Sequence, residues 1–232
     1  MLMDIFSALD LGYGVLLNCS LPLWSSAVLV LFSGLTRYWW PLSRMNSILA
    51  GLLELPFDLS LRSRGSNLGG FTPFLVTLFY YLVVLNLLGL IPYGPSISSH
   101  FTLTMALALP IWTTVVLSGV TLNPYEFMSH FCPLGAPLAL APFLVLVEIV
   151  SFSVRPLTLA VRLAANMTAG HIVLALLGIC YSYVSVAVSA YPLLVWGVGI
   201  LYFIFEVGVG IIQGYIFMLL VSMYFDEHPS HT

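Results

Sequence analysis

Seven polar residues, Glu148, Arg155, Arg162, Asn166, His171, Glu206 and Gln213, interrupt stretches that are otherwise apolar or small for dozens of residues, and Asp226 and Glu227 follow at the end. At 100° per residue Glu148, Arg155, Arg162 and Asn166 fall within roughly 40° of one another on a helix, and Glu206, Gln213 and Glu227 within roughly 60° on a second. Each set makes one polar stripe. If the two helices run antiparallel, nearly the same offset sets Glu148 opposite Glu227, Arg162 opposite Gln213 and His171 opposite Glu206. Titratable groups then stand at both ends of a polar route, with a fixed cation between them. Arginine is protonated at any physiological pH, so it blocks a direct proton relay. It can still stabilise a carboxylate brought close to it. A proton entering from one side must therefore leave on a carrier that moves. His171 fits least well: nine residues from Arg162, it lies about 180° round an ideal helix. Either the helix deforms near Gly170 or the His171 route opens on another face.

The elements carrying these residues must lie in a membrane. Of 232 residues, 60% are hydrophobic and 6% charged, which excludes a soluble domain with an ordinary polar shell. The chain reads as a single membrane domain over 1–232. A first span is expected at 21–36. The segment 37–66, which mixes Arg37, Arg44, Arg62 and Arg64 with Glu54, Asp58, tryptophans and leucines, is expected to lie as an amphipathic helix at the interface. Spans follow at 72–92 and 102–120, each near the ~20 residues that cover ~30 Å of hydrocarbon. The last third does not fit that ruler. The stretch 138–183, with Pro142 and Pro156 able to kink it without ending it, and the proline-poor stretch 191–225 are both too long to stand upright. The fold class is therefore an all-α polytopic membrane protein: an N-terminal span, an interfacial amphipathic helix, two further spans and a long, steeply tilted antiparallel helical hairpin.

Each polar residue also has an ordinary explanation. A membrane arginine can snorkel, but Arg162 is too far from either end of its stretch to reach water easily. Asn166 and Gln213 could be interhelical glue, a role compatible with lining a channel. A lone histidine is often a packed one, and Glu206 is what raises His171 above that. Arg155, beside Pro156, either lines the route or holds a carboxylate. Cys19, Cys132 and Cys180 form no close pair and point to neither metal site nor disulfide framework. The start "MLMDIFSALD" lacks a targeting pattern, so the mature chain is expected to begin near Met1. All six basic residues are arginine, which suits a small organellar genome.

Four motifs in order carry a family resemblance: "NLLGLIP" at 86–92, "EIVSFSVRPLTLAVRL" at 148–163, "LAVRLAANMTAGH" at 159–171 and "EVGVGIIQGYIFMLLVSMYF" at 206–225. On them the chain resembles the subunit a family of F-type ATP synthases in its mitochondrial form, from about residue 68 onward and more loosely before. The resemblance implies a stator that binds no nucleotide, cofactor or metal, is not catalytic alone, and holds two offset proton half-channels against a rotating ring of small carboxylate-bearing subunits. It assigns the essential cation to Arg162, its companions to Asn166 and Gln213, the outer half-channel to His171 and Glu206, and the matrix side to Glu148 with Glu227. It also implies peripheral-stalk and other membrane partners, surrounding lipid and no nucleic acid, in the mitochondrial inner membrane. The positive-inside bias puts the arginine-rich loop in the matrix, hence the N-terminus in the intermembrane space and the C-terminus in the matrix. Two rival functions make different demands on the sequence. A purely structural respiratory subunit would not need charges aligned across two helices, and a secondary transporter should show repeated halves and broken helices.

Overall fold

In the computed structural model, the described residues are 28, 44–63, 65, 69–91, 96–122, 124–131, 141–186 and 191–226. The expected first span at 21–36 lies, but for Val28, outside them, as do Glu227 and the polar tail. Among the described residues there is no strand. Six α-helices follow in order: α1 (Arg44–Arg62), α2 (Phe71–Gly89), α3 (Phe101–Leu122), the short α4 (Pro124–His130), α5 (Ala141–Val186) and α6 (Tyr191–Asp226), with a 3-10 turn at Ile97–Ser99. Four of them, α2, α3, α5 and α6, are long and apolar enough to cross a membrane.

Helix α1 shows why its charges do not prevent packing. Leu53, Pro56 and Ser60 are buried at helical spacing against α2, while Glu54, Asp58 and Arg62 follow each other at i, i+4 on the exposed face. The chain enters α2 through Gly70, whose φ of 94° is the left-handed conformation that glycine tolerates. It leaves at Gly89, where the Leu90 N–H donates to Leu87 O and the Ile91 N–H to Leu88 O in a tightened last turn. Pro92 follows, and the residue before a proline disfavours the helical region.

Helix α2 is the most enclosed of the four membrane-length helices. Leu75, Phe79, Leu82 and Val83 meet Leu159, Ala160 and Leu163 of α5 and Phe217, Met218 and Val221 of α6 in one core, which Leu53 of α1 and Ala108 of α3 complete. Lipid is as apolar as these side chains, so close packing must hold the helices together. Gly214 permits it: a Cβ there would stand 2.8 Å from Val83 Cγ2, so a larger residue would push Val83 aside at this approach of α6 to α2.

Helix α5 runs 46 residues and α6 runs 36. At ~1.5 Å per residue these are about 70 Å and 54 Å, against a hydrocarbon layer of ~30 Å. Pro142 falls in the first turn of α5, where its missing N–H has no helical partner to lose, and Pro156 lies inside a helix that continues through it. Three contacts set the hairpin register: Arg155 with Tyr224, Asn166 with Gln213, and Gly170 with Glu206. The two helices are antiparallel.

Candidate functional site

Going round α5 from Arg162, Asn166 lies ~40° on, Gly170 ~80°, Met167 ~140° and His171 ~180°. The surroundings change accordingly. Arg162 is exposed on the outer surface of the hairpin. Asn166 turns toward α6, where its Nδ2 donates to Gln213 Oε1 at 2.9 Å. Gly170 is buried, and the side chain lying over it is Glu206: a Cβ at position 170 would collide with the carboxylate. Met167 and His171 face α2, where a Cβ on Gly89 would be 3.3 Å from Met167 Cε and 3.7 Å from His171 Nε2.

Helix α5 passes through Gly170 without a break. Arg162 and His171 thus occupy different faces, which resolves the angular misfit seen in the sequence. The register also differs from the simple offset. Gln213 sits against Asn166, one turn past Arg162, so the guanidinium is left to the outside and the two amides close ranks behind it. Glu206, only 3% exposed, is seated on Gly170 rather than paired with the neighbouring His171. Tyr202 lies one turn earlier on α6. At the other end of the hairpin Arg155 Nη2 stands 3.9 Å from Glu148 Oε1. Glu227, expected opposite Glu148, lies outside the described residues.

Several buried polar atoms here have no hydrogen-bond partner among the described residues: Gln213 Nε2, His171 Nε2 and Asn86 Oδ1. An unsatisfied buried group costs ~1–3 kcal/mol, so a concentration of them where α2, α5 and α6 meet calls for hydration.

Asn86, the first residue of the motif at 86–92, is given no role by sequence pattern alone. It is fully buried, and its Nδ2 donates to Gly210 O of α6 at 3.0 Å, one turn beyond Glu206. The available signal was a lone amide in an apolar span, which usually finds another helix. Asn86→Leu is expected to weaken the α2–α6 contact by about 0.5–2 kcal/mol, lowering the temperature at which the subunit is lost from the solubilised complex. An unchanged dissociation temperature would mean that the bond contributes nothing.

The residues of this site lie within a stretch that the family model for the ATP synthase A chain matches, at 21–226. ATP synthase subunit a of Albinaria caerulea is 37% identical over 232 residues, covering 99% of this chain and 100% of that relative. The subunit a of Artemia franciscana is 34% identical, covering 98% and 100%. The ATP synthase F(0) complex subunit a of Scyliorhinus canicula is 40% identical over 164 residues, 70% of this chain and 72% of its own. A match over nearly the whole length, on helices of membrane-spanning length and composition, means that the chain belongs to the ATP synthase A chain family and is a multi-pass, proton-translocating subunit of the membrane sector.

Proposed function

We propose that the hairpin of α5 and α6 forms two offset half-channels against a rotating ring of small carboxylate-bearing subunits in the mitochondrial inner membrane, with Arg162 as the barrier between them. The observation that carries this reading is the contrast behind the arginine. Arg162 faces outward, while the buried Gln213, Glu206 and Asn86 and the half-buried Asn166 and His171 form a polar file whose hydrogen-bonding capacity the described residues do not exhaust. A cation presented outward can meet a passing carboxylate; the file behind it can hold water. His171 and Glu206 take the proton from the intermembrane space toward the ring. Glu148 and Arg155, with Glu227, serve the exit to the matrix. The long helices lie inclined so that each half-channel reaches one surface. The N-terminus is then in the intermembrane space and the C-terminus in the matrix, and peripheral-stalk and neighbouring membrane subunits hold the hairpin against the ring.

Sided labelling tests the two halves. In a background with the native cysteines replaced by serine, His171→Cys is expected to react with a membrane-impermeant thiol reagent only from the intermembrane-space side, and Glu148→Cys only from the matrix side. Reaction of both from the same side would leave no offset channels to propose.

A further inference from the structure

The cation–π contacts of Arg155 point to a device within the proposed matrix-side route. The Arg155 Cζ lies 5.4 Å from the centroid of the Phe152 ring and 5.3 Å from that of Tyr224. Both are inside the ~6 Å range in which a guanidinium is attracted to an aromatic face. The two rings belong to different helices, Phe152 to α5 and Tyr224 to α6. Phe152 is itself held by Trp112 of α3 at 5.5 Å, by Phe127 of α4 at 6.1 Å and by Phe131 just after α4 at 5.6 Å between ring centroids. One wall of the clamp is therefore fixed by α3 and α4, the other by the end of the hairpin. The guanidinium between them reaches Glu148 Oε1 at 3.9 Å, and the Glu148 side chain is 42% exposed against 21% for Arg155.

Arginine is suited to this place because its planar group can lie on aromatic faces while its N–H edge reaches a carboxylate. The carboxylate stays open on its other side, as a group that must take and release protons requires. We infer that Phe152 and Tyr224 clamp Arg155 as a positioning residue that holds the Glu148 carboxylate in the exit path. Tyr224 thereby acts on proton flow through Arg155 without touching the proton. This inference rests on the reading of Glu148 as a matrix-side group.

The test uses the assembled ATP synthase in inverted membrane vesicles, with ATP-driven proton pumping measured per complex. Glu148→Gln is expected to slow pumping, and a wild-type rate in that variant would remove the matrix-side reading and the clamp with it. Given that loss, Tyr224→Leu is expected to slow pumping about three- to tenfold, the range of a partly desolvated cation–π contact. Tyr224→Phe, which keeps the ring, should stay within about twofold of wild type. The double variant Tyr224→Leu with Arg155→Gln should be no slower than Arg155→Gln alone, because contacting residues acting through one another are not additive. A merely structural tyrosine would give multiplied losses, and that result, or a wild-type rate for Tyr224→Leu, overturns the clamp while leaving the Glu148 reading intact. Arg155→Lys gives a second route should Tyr224→Leu fail to assemble. It keeps the charge and both rings but not the planar guanidinium between them, so a loss is expected and an unimpaired rate refutes the clamp.

Discussion

Arg162→Ala should lower coupled proton transport by about a hundredfold or more. In the proposed mechanism the fixed cation stabilises the carboxylate of a ring subunit passing it within the hydrocarbon layer. An unpaired charge at that depth costs at least ~2.5–3.5 kcal/mol, and each ~1.4 kcal/mol is a factor of ten in rate. Without Arg162 the passing carboxylate must stay neutral, so it can return the way it came and no longer releases its proton on the far side. Coupled ATP synthesis is lost while a passive leak can persist. Lysine should restore only a part, being a compact and strongly hydrated point charge where arginine presents a broad, permanently charged plane. The outward exposure of Arg162 adds a further expectation: the alanine variant should fold and assemble, because an exposed side chain and not one of the packed core is shortened. The measurement is ATP synthesis and proton uptake by reconstituted complexes containing the normal amount of this subunit. Synthesis at the wild-type rate would sink the mechanism.

The sequence carried the helical class and the long hairpin legibly, because length, composition and the near absence of charge dictate them through the energetics of burying backbone in lipid. The stripe of polar residues was legible as well, since its periodicity belongs to a single helix. What the periodicity of single helices does not contain is the third partner. Gln213 reads as the opposite number of Arg162 when only two ideal helices are aligned. The structure turns it to Asn166 because α6 also packs on α2, where Gly214 admits Val83 and Asn86 reaches Gly210. The place of His171 has the same origin: its ring is directed to Gly89, a residue of α2 far away in sequence. Tyr224, by contrast, is one aromatic residue among many in an apolar run, and only the hairpin register makes it a neighbour of Arg155. Helix pairing sets these positions, and pairing depends on shapes that a hydropathy pattern does not record.

Gly170→Ala should cost proton transport about ten- to a hundredfold, although by helix propensity alone it should be favourable by ~1 kcal/mol. The two expectations oppose each other, which makes the result informative. The added methyl would fall on the Glu206 carboxylate, the end of a side chain only 3% exposed, so that group must shift. Overpacking of this kind typically costs ~1–3 kcal/mol, and it falls on the group proposed to receive the proton. Glu206 must then swing away from the file formed with His171, Asn86 and Gln213, so the route is broken at its acid. Shortening that acid should relieve the clash. Glu206→Asp alone withdraws the carboxylate by one methylene and opens a gap at Gly170. Combined with Gly170→Ala the methyl fills that gap, so the volume is roughly conserved and a carboxyl group is still present at this level. The double variant is expected to pump faster than Gly170→Ala alone, with a coupling of ~0.5–3 kcal/mol between the two positions. Pumping by reconstituted wild type, both single variants and the double variant decides it. If the two losses simply multiply, Glu206 is not seated on Gly170 in the working complex, and the outer half-channel must be built from other contacts.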